Sequence, residues 1–300
     1  MTVLTVILVL FFASSIQGQE IGAGDAAHFL RHGLGAQALG RGGAFVAVAN
    51  DITAPMWNPA GLALQSGIHL GGSYENQFGG LVTSQYLGGT YGDDTWGGGG
   101  LWFNSELYSV YYLSAAVAVQ SYSFGITGKL YSFTYNMQTA EGLGVDVGVL
   151  FSVAWKDLSL ALGLVSRDIG WSAIHWRSVG ERQVDNVAWV TRLGAAVTGK
   201  TALGRLTGTI DFELAFRRPP RSDDVDYLAE AMELMLNLGG EVTFQGLAFR
   251  AGLADISFIE GLQAHPTLGV GVQVMGIAVD AAWVPNPLGV TYLLSAEFAF

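Results

Sequence analysis

A chain of 300 residues with 14 Lys and Arg against 25 Asp and Glu, net charge -11, offers no basic surface for nucleic acid, whose phosphates demand one. It has no Cys, which excludes disulfides, thiolate metal sites and lipid attachment through that residue. Half of its residues are hydrophobic, only 13% are charged and 42 are Gly, a balance that leaves a soluble core under-covered but suits a surface that meets lipid.

Apolar residues run from Val3 to Ala13 and give way to small and polar ones through Glu20. A stretch of about eleven is too short for a transmembrane helix, which needs ~20, and has the length of the apolar region of an export signal. No Lys or Arg precedes Arg31, so the usual positive start is missing. Residues 1–18 are expected to be a signal peptide that exports the protein to the bacterial outer membrane. No later apolar run has helical spanning length, so crossing the membrane falls to strands.

Residues 19–66 differ from the rest of the chain: small residues dominate and alternation is absent. Asn58 before Pro59 suits a helix start, with a side-chain acceptor at the cap and a preset φ at the first position. Gly42 and Gly43 allow tight backbone approach or positive φ. The expectation is a compact N-terminal hatch or plug rather than a linker.

From residue 67 to 300 the chain divides into about fourteen alternating segments, near 67–75, 80–89, 95–103, 110–119, 122–135, 143–154, 158–167, 187–198, 203–216, 234–244, 247–255, 267–275, 277–284 and 290–300. Most have the ~9 to 11 residues that a tilted membrane strand needs. Side chains alternate with period two, so Leu206, Ile210, Phe212, Leu214 and Phe216 oppose Arg205, Thr207, Thr209, Asp211 and Glu213. The last segment sets Val290, Tyr292, Leu294, Ala296, Phe298 and Phe300 on one face, and Thr291, Ser295 and Glu297 on the other. The fold class is therefore all-β: a transmembrane antiparallel β-barrel of about fourteen strands with an N-terminal luminal hatch. Its lumen is predicted to hold a polar network of Asp146, Arg192, Arg205, Asp211, Glu213, Glu241, Arg250 and Glu297, since charge facing lipid costs ~2 to 4 kcal/mol near the midplane. Barrels of this kind have even strand numbers, short turns at one end and longer loops at the other. The two longest connections, 168–186 and 217–233, both follow odd-numbered strands, and the connections after even-numbered strands are short.

Other chemistry is sparse. Arg217-Arg218 and Arg221 are the densest basic cluster. His28 and His32 would share a helix face, yet lack a third metal ligand nearby, so neither metal nor cofactor is expected. Gly33-Leu34-Gly35 and Gly22-Ala23-Gly24 lack the third glycine of a dinucleotide fingerprint, and there is no nucleophile elbow. Ser66 and His69 are the one close Ser-His pair, at the junction of hatch and barrel, and no enzymatic activity is expected. The acidic run 223–233 reads as a loop helix capped by Ser222 with Val225, Leu228, Ala229 and Met232 as an apolar stripe. Trp171, Ile174 and Trp176 in the other long loop could pack against it.

Within the hatch, Leu39-Gly40-Arg41-Gly42-Gly43-Ala44 leads to Ala49 and Asp51, then to Trp57-Asn58-Pro59-Ala60-Gly61-Leu62. Over about thirty residues this pattern resembles the N-terminal region of the PorV/PorQ family, a branch of the FadL-like outer-membrane proteins. It departs at Asn50, where an acidic residue is frequent, and at Pro55. The resemblance implies a fourteen-stranded barrel whose N-terminal segment folds into the lumen as a hatch. It makes Asp51, Trp57, Asn58, Pro59, Ala60 and Gly61 the candidate functional motif, either gating passage or only capping and anchoring the plug. The leading function it implies is a transport or protein-secretion component of the type IX kind. Its partners would be outer-membrane lipid together with secreted proteins and secretion-system components. One alternative is a FadL-like channel for hydrophobic small molecules or fatty acids, and another is a structural envelope protein with no open path.

Overall fold

A computed structural model describes residues 31–106, 108–135, 138–177, 184–202, 204–216, 232–257 and 263–300. The expected signal peptide, His28, Arg217, Arg218, Arg221 and residues 223–231 of the expected loop helix lie outside the described residues.

Period-two alternation gives strands throughout the predicted barrel. They are β1 (Ser66–Gln77), β2 (Val82–Asp93), β3 (Trp96–Ser105), β4 (Tyr108–Val119), β5 (Tyr122–Tyr135), β6 (Gln138–Trp155), β7 (Leu158–Arg167), β8 (Ala173–Arg177), β9 (Val184–Asn186), β10 (Trp189–Thr201), β11 (Gly204–Phe216), β12 (Met232–Phe244), β13 (Leu247–Ser257), β14 (Gln263–Val274), β15 (Ile277–Asn286) and β16 (Gly289–Ala299). Each pairs antiparallel with its neighbours, β1 with β16 and β5 with β6, so the sheet closes on itself. Fourteen strands form the ring. The other two, β8 and β9, lie within 168–186, which the sequence presents as a plain loop. There β8 adds to the part of β6 that rises past the end of β7, and β9 adds to β8. Met232 and Glu233, expected to end a helix, open β12 instead.

Turn chemistry fixes the short end. Gln245-Gly246 and Met275-Gly276 have positive φ at both positions, the backbone of tight two-residue hairpins whose twist matches the flanking strands. Leu158, Leu160, Leu162 and Leu164 face outward and are exposed, as are Tyr292, Leu294 and Phe298, while Leu293, Thr291 and Ser295 face inward and are buried. Fourteen strands spaced ~4.8 Å apart and tilted ~40° enclose a barrel roughly 28 Å across, too wide for its own side chains to fill. Residues 31–65 occupy that space. They form α1 (Ala36–Leu39), α2 (Ala54–Trp57) and a 3-10 helix, Pro59–Leu64. The 3-10 helix packs on β2 through β6, and α1 packs on β14 through β16.

Candidate functional site

The hatch is built around Asn58. Its extended backbone ends α2, and its side-chain oxygen accepts the Ala60 N–H at 3.2 Å, capping the 3-10 helix that Pro59 opens. Its amide nitrogen donates to the Val46 carbonyl (3.1 Å) and to the Val149 carbonyl of β6 (3.2 Å). One fully buried side chain thus ties two hatch segments to each other and to the wall. Trp57 beside it donates from its indole nitrogen to the Leu34 carbonyl at 2.9 Å, meets Phe45 edge-on, and lies under the Arg192 guanidinium, 5.1 Å from its ring centre. Gly61 has no room for a side chain, because a Cβ would strike the Ala49 carbonyl. Asp51 accepts the Thr53 N–H (2.8 Å) and hydroxyl (2.5 Å). Burial, with Glu297 and Asp280 nearby, pushes its carboxyl up to about 7.

The barrel wall receives the hatch on glycines paired across neighbouring strands. Gly125 of β5 pairs with Gly148 of β6 under Pro59 and Asn58, Gly163 of β7 with Gly194 of β10 under Val46 and Ala47, and Gly239 of β12 with Gly252 of β13 under Arg41 and Gly42. A methyl group at any of these would come closer than 3 Å to hatch atoms or to a side chain that holds them. Backbone approach therefore accounts for part of the glycine excess seen in the composition.

Charges fasten the same seats. Asp211 of β11 accepts the Phe45 and Val46 N–H groups at 2.8 and 2.9 Å. Glu213 binds Arg192 and, at 2.9 Å, the hatch residue Arg31, which also reaches Glu233 at 2.7 Å. Glu241 bridges Arg41 of the hatch (2.7 Å) and Arg250 (2.6 Å), which continues to Asp280 (2.5 Å). Burial lowers the Arg41 guanidinium pKa, against the opposing field of Glu241. Asp146 and Asp168 share Lys129 at 2.7 and 2.5 Å, and Asp168 also accepts from Tyr131 and Ser172. Glu297 accepts the Ile52 N–H (3.2 Å) and binds His69 (2.7 Å).

Seven of the eight expected luminal charges thus face inward and bond there. Arg205 does not join them: it shares their strand face but lies one residue into β11 at the turn end, exposed, with no ion pair among the described residues. Alternation gives the face of a strand and not the height along it. Arg31, Arg41, Lys129, Asp168 and Asp280 were missed, although Lys129 and Asp280 have the inward parity of Thr127 and Ala282. Asp168 lies past the strand end, and Arg31 and Arg41 lie in a segment without periodicity.

The wall from β2 to β5 is aromatic and borders the Lys129 cluster through Tyr131. Tyr86, Phe103, Tyr112 and Tyr131 of β2 to β5 are buried there with Leu34, Ile52 and Met56 of the hatch. Trp176 and Ile174 of the long loop join this cluster, while Trp171 packs edge-on against Trp189. With the hatch seated, a cavity between hatch and wall measures about 50 Å³, room for a few water-sized groups. His69 places its second ring nitrogen 3.3 Å from the Ser66 carbonyl, not its hydroxyl, and His32 lies edge-on to Phe78. Among the described residues no cluster of His, Asp and Glu could hold a metal ion.

No protein-family model and no curated protein matches the sequence. Solved structures match the fold. The toluene transporter TodX of P. putida superposes with a TM-score of 0.59 at 12% identity, covering 90% of this chain and 99% of its own. The Ralstonia pickettii toluene transporter TbuX gives 0.56 at 12%, with the same coverage, and a Pseudomonas aeruginosa FadL homologue gives 0.54 at 12%, covering 88% and 98%. At such identity the likeness speaks for architecture: this chain has the closed, fourteen-stranded fold of FadL-like outer-membrane barrels.

Proposed function

We propose that this protein is a non-catalytic channel of the bacterial outer membrane for hydrophobic small molecules, with residues 31–65 as its gate. The observation that carries the reading is the seat of the hatch. It is a separate segment held in the lumen by Asn58, by buried ion pairs and by glycine contacts, all of which can be released without breaking a strand pair. The aromatic wall from β2 to β5 supplies an apolar surface beside it. Transporters named for toluene share the fold, which supports the substrate class without fixing it. The test is uptake of a labelled aromatic hydrocarbon by outer-membrane vesicles with and without the protein. Faster uptake supports the channel. Equal uptake refutes it and leaves a structural envelope role.

A second reading, a PorV/PorQ-type secretion component, is supported by the motif from Leu39 to Leu62 and by the β8–β9 extension, which carries β6 beyond the ring. Gentle purification from the native membrane tests it. Recovery with exported proteins, lost when 168–186 is shortened, supports this reading, and recovery alone rejects it.

A further inference from the structure

Every described Lys and Arg other than Lys156, Arg177, Lys200 and Arg205 is buried. Arg177, at the long-loop end, pairs with Glu141 at 2.7 Å. The other three have no ion pair among the described residues, and they gather at the turn end on two hairpins that touch. Lys156 opens the two-residue turn from β6 to β7, while Lys200 and Arg205 flank the turn from β10 to β11. β7 and β10 are neighbours, and the Lys200 N–H donates to the Asp157 carbonyl at 3.3 Å, tying one turn to the other. Lys200 and Arg205 stand directly opposite each other in the ladder. Like charges so placed destabilise a strand pair, and Asp157 is the one acid in the two turns. A chain of net charge -11 thus collects the exposed, unpaired cations of its described residues in one sector of the rim.

The lipid side of the same turns is apolar. Trp155 is 66% exposed, with the Lys156 ammonium 5.5 Å from its ring centre, and Leu158 and Leu206 are exposed on the same outer face. A tryptophan ring sits at the boundary between acyl chains and head groups, which puts the three cations at the level of the head groups. Lys200 and Arg205 have luminal parity, but they occupy the last rungs of the ladder, where long stems carry their charged heads to the membrane boundary. The short turns of such a barrel lie on the periplasmic side. We propose that Lys156, Lys200 and Arg205 bind the phosphodiester head group of an anionic phospholipid in the periplasmic leaflet, with Trp155 against its glycerol and upper acyl region. The phosphate relieves the repulsion between Lys200 and Arg205, and the Arg205 fork holds two of its oxygens. A zwitterionic head group brings its own cation to the cluster and binds less well. The site does not depend on whether the barrel conducts.

The test is native mass spectrometry of the delipidated full-length protein in detergent, offered equal amounts of phosphatidylglycerol and phosphatidylethanolamine with the same acyl chains. Heat-modifiable mobility confirms that each barrel is folded. Wild type should retain phosphatidylglycerol at least about tenfold better than phosphatidylethanolamine at low salt, and the preference should shrink as salt is added. The combined change Lys156→Gln, Lys200→Gln and Arg205→Gln should abolish it. Lys200→Glu, which faces Arg205 with an opposite charge, should also remove most of it while the barrel resists denaturant at least as well as wild type. Arg177→Gln, at the other end, should leave it unchanged. Equal retention of the two lipids by wild type, a preference that survives the triple change, or an equal loss in Arg177→Gln overturns the proposal. If the triple variant does not assemble, wild type and Lys200→Glu decide. Capture of an acidic soluble protein in place of lipid, lost in the triple variant, also overturns it and gives the cluster to a protein partner.

Discussion

Replacing Asn58 by Ala tests whether this side chain is the latch of the hatch. The change removes three hydrogen bonds, to the Val46 carbonyl, the Val149 carbonyl and the Ala60 N–H. At about 1 kcal/mol each the loss is about 3 kcal/mol, which shifts the balance between seated and displaced hatch by roughly two orders of magnitude. No strand pair depends on Asn58, so the barrel should keep its heat-modifiable mobility while its conductance in a planar bilayer rises from nearly closed to frequent openings. Asn58→Asp should do more, because a carboxylate oxygen would then face both carbonyls at 3.1 and 3.2 Å. Conductance and protease protection of residues 31–65 that match the wild type in both variants would refute the latch.

Gly163→Ala places a methyl group against the Val46 carbonyl and should loosen the hatch by ~1 to 3 kcal/mol, visible as open conductance, whereas Gly208→Ala, with open space around it, should be silent. Glu213→Gln deprives the buried Arg31 and Arg192 of their shared carboxylate and should cost about 3 to 5 kcal/mol in hatch docking or barrel stability, measured by denaturant titration; a companion Arg192→Met should recover part of it. Asp51, with its seated-state pKa raised to about 7, binds more protons in the seated hatch than in the released one. Its contribution is therefore fully present below the ordinary carboxylate range and is lost as pH rises through about 7. Conductance should increase across that window, and Asp51→Asn should flatten the profile; an unchanged profile in the variant would assign the pH dependence elsewhere.

Much of the fold is legible in the sequence because its rule is local. Period-two alternation, as in Leu158 to Leu164 against Ser159, Ala161 and Gly163, sets which side meets lipid, and turn residues such as Gln245-Gly246 set where one strand ends. Strand number and the even sorting of long and short connections follow from those two signals. Asn58 before Pro59 marks its own cap, and that cap forms, on a 3-10 helix. Only the tertiary structure decides what meets across the lumen. Arg31 finds Glu213 182 residues away, and Arg41 finds Glu241 across 200, with no periodicity to announce either. Cross-strand register turns scattered glycines such as Gly163 and Gly194 into one seat. The exposed position of Arg205 likewise depends on height along the wall and on which neighbours have already been taken. Alternation along one strand specifies a face, while pairing around a closed ring and the packing of a second segment inside it specify a site.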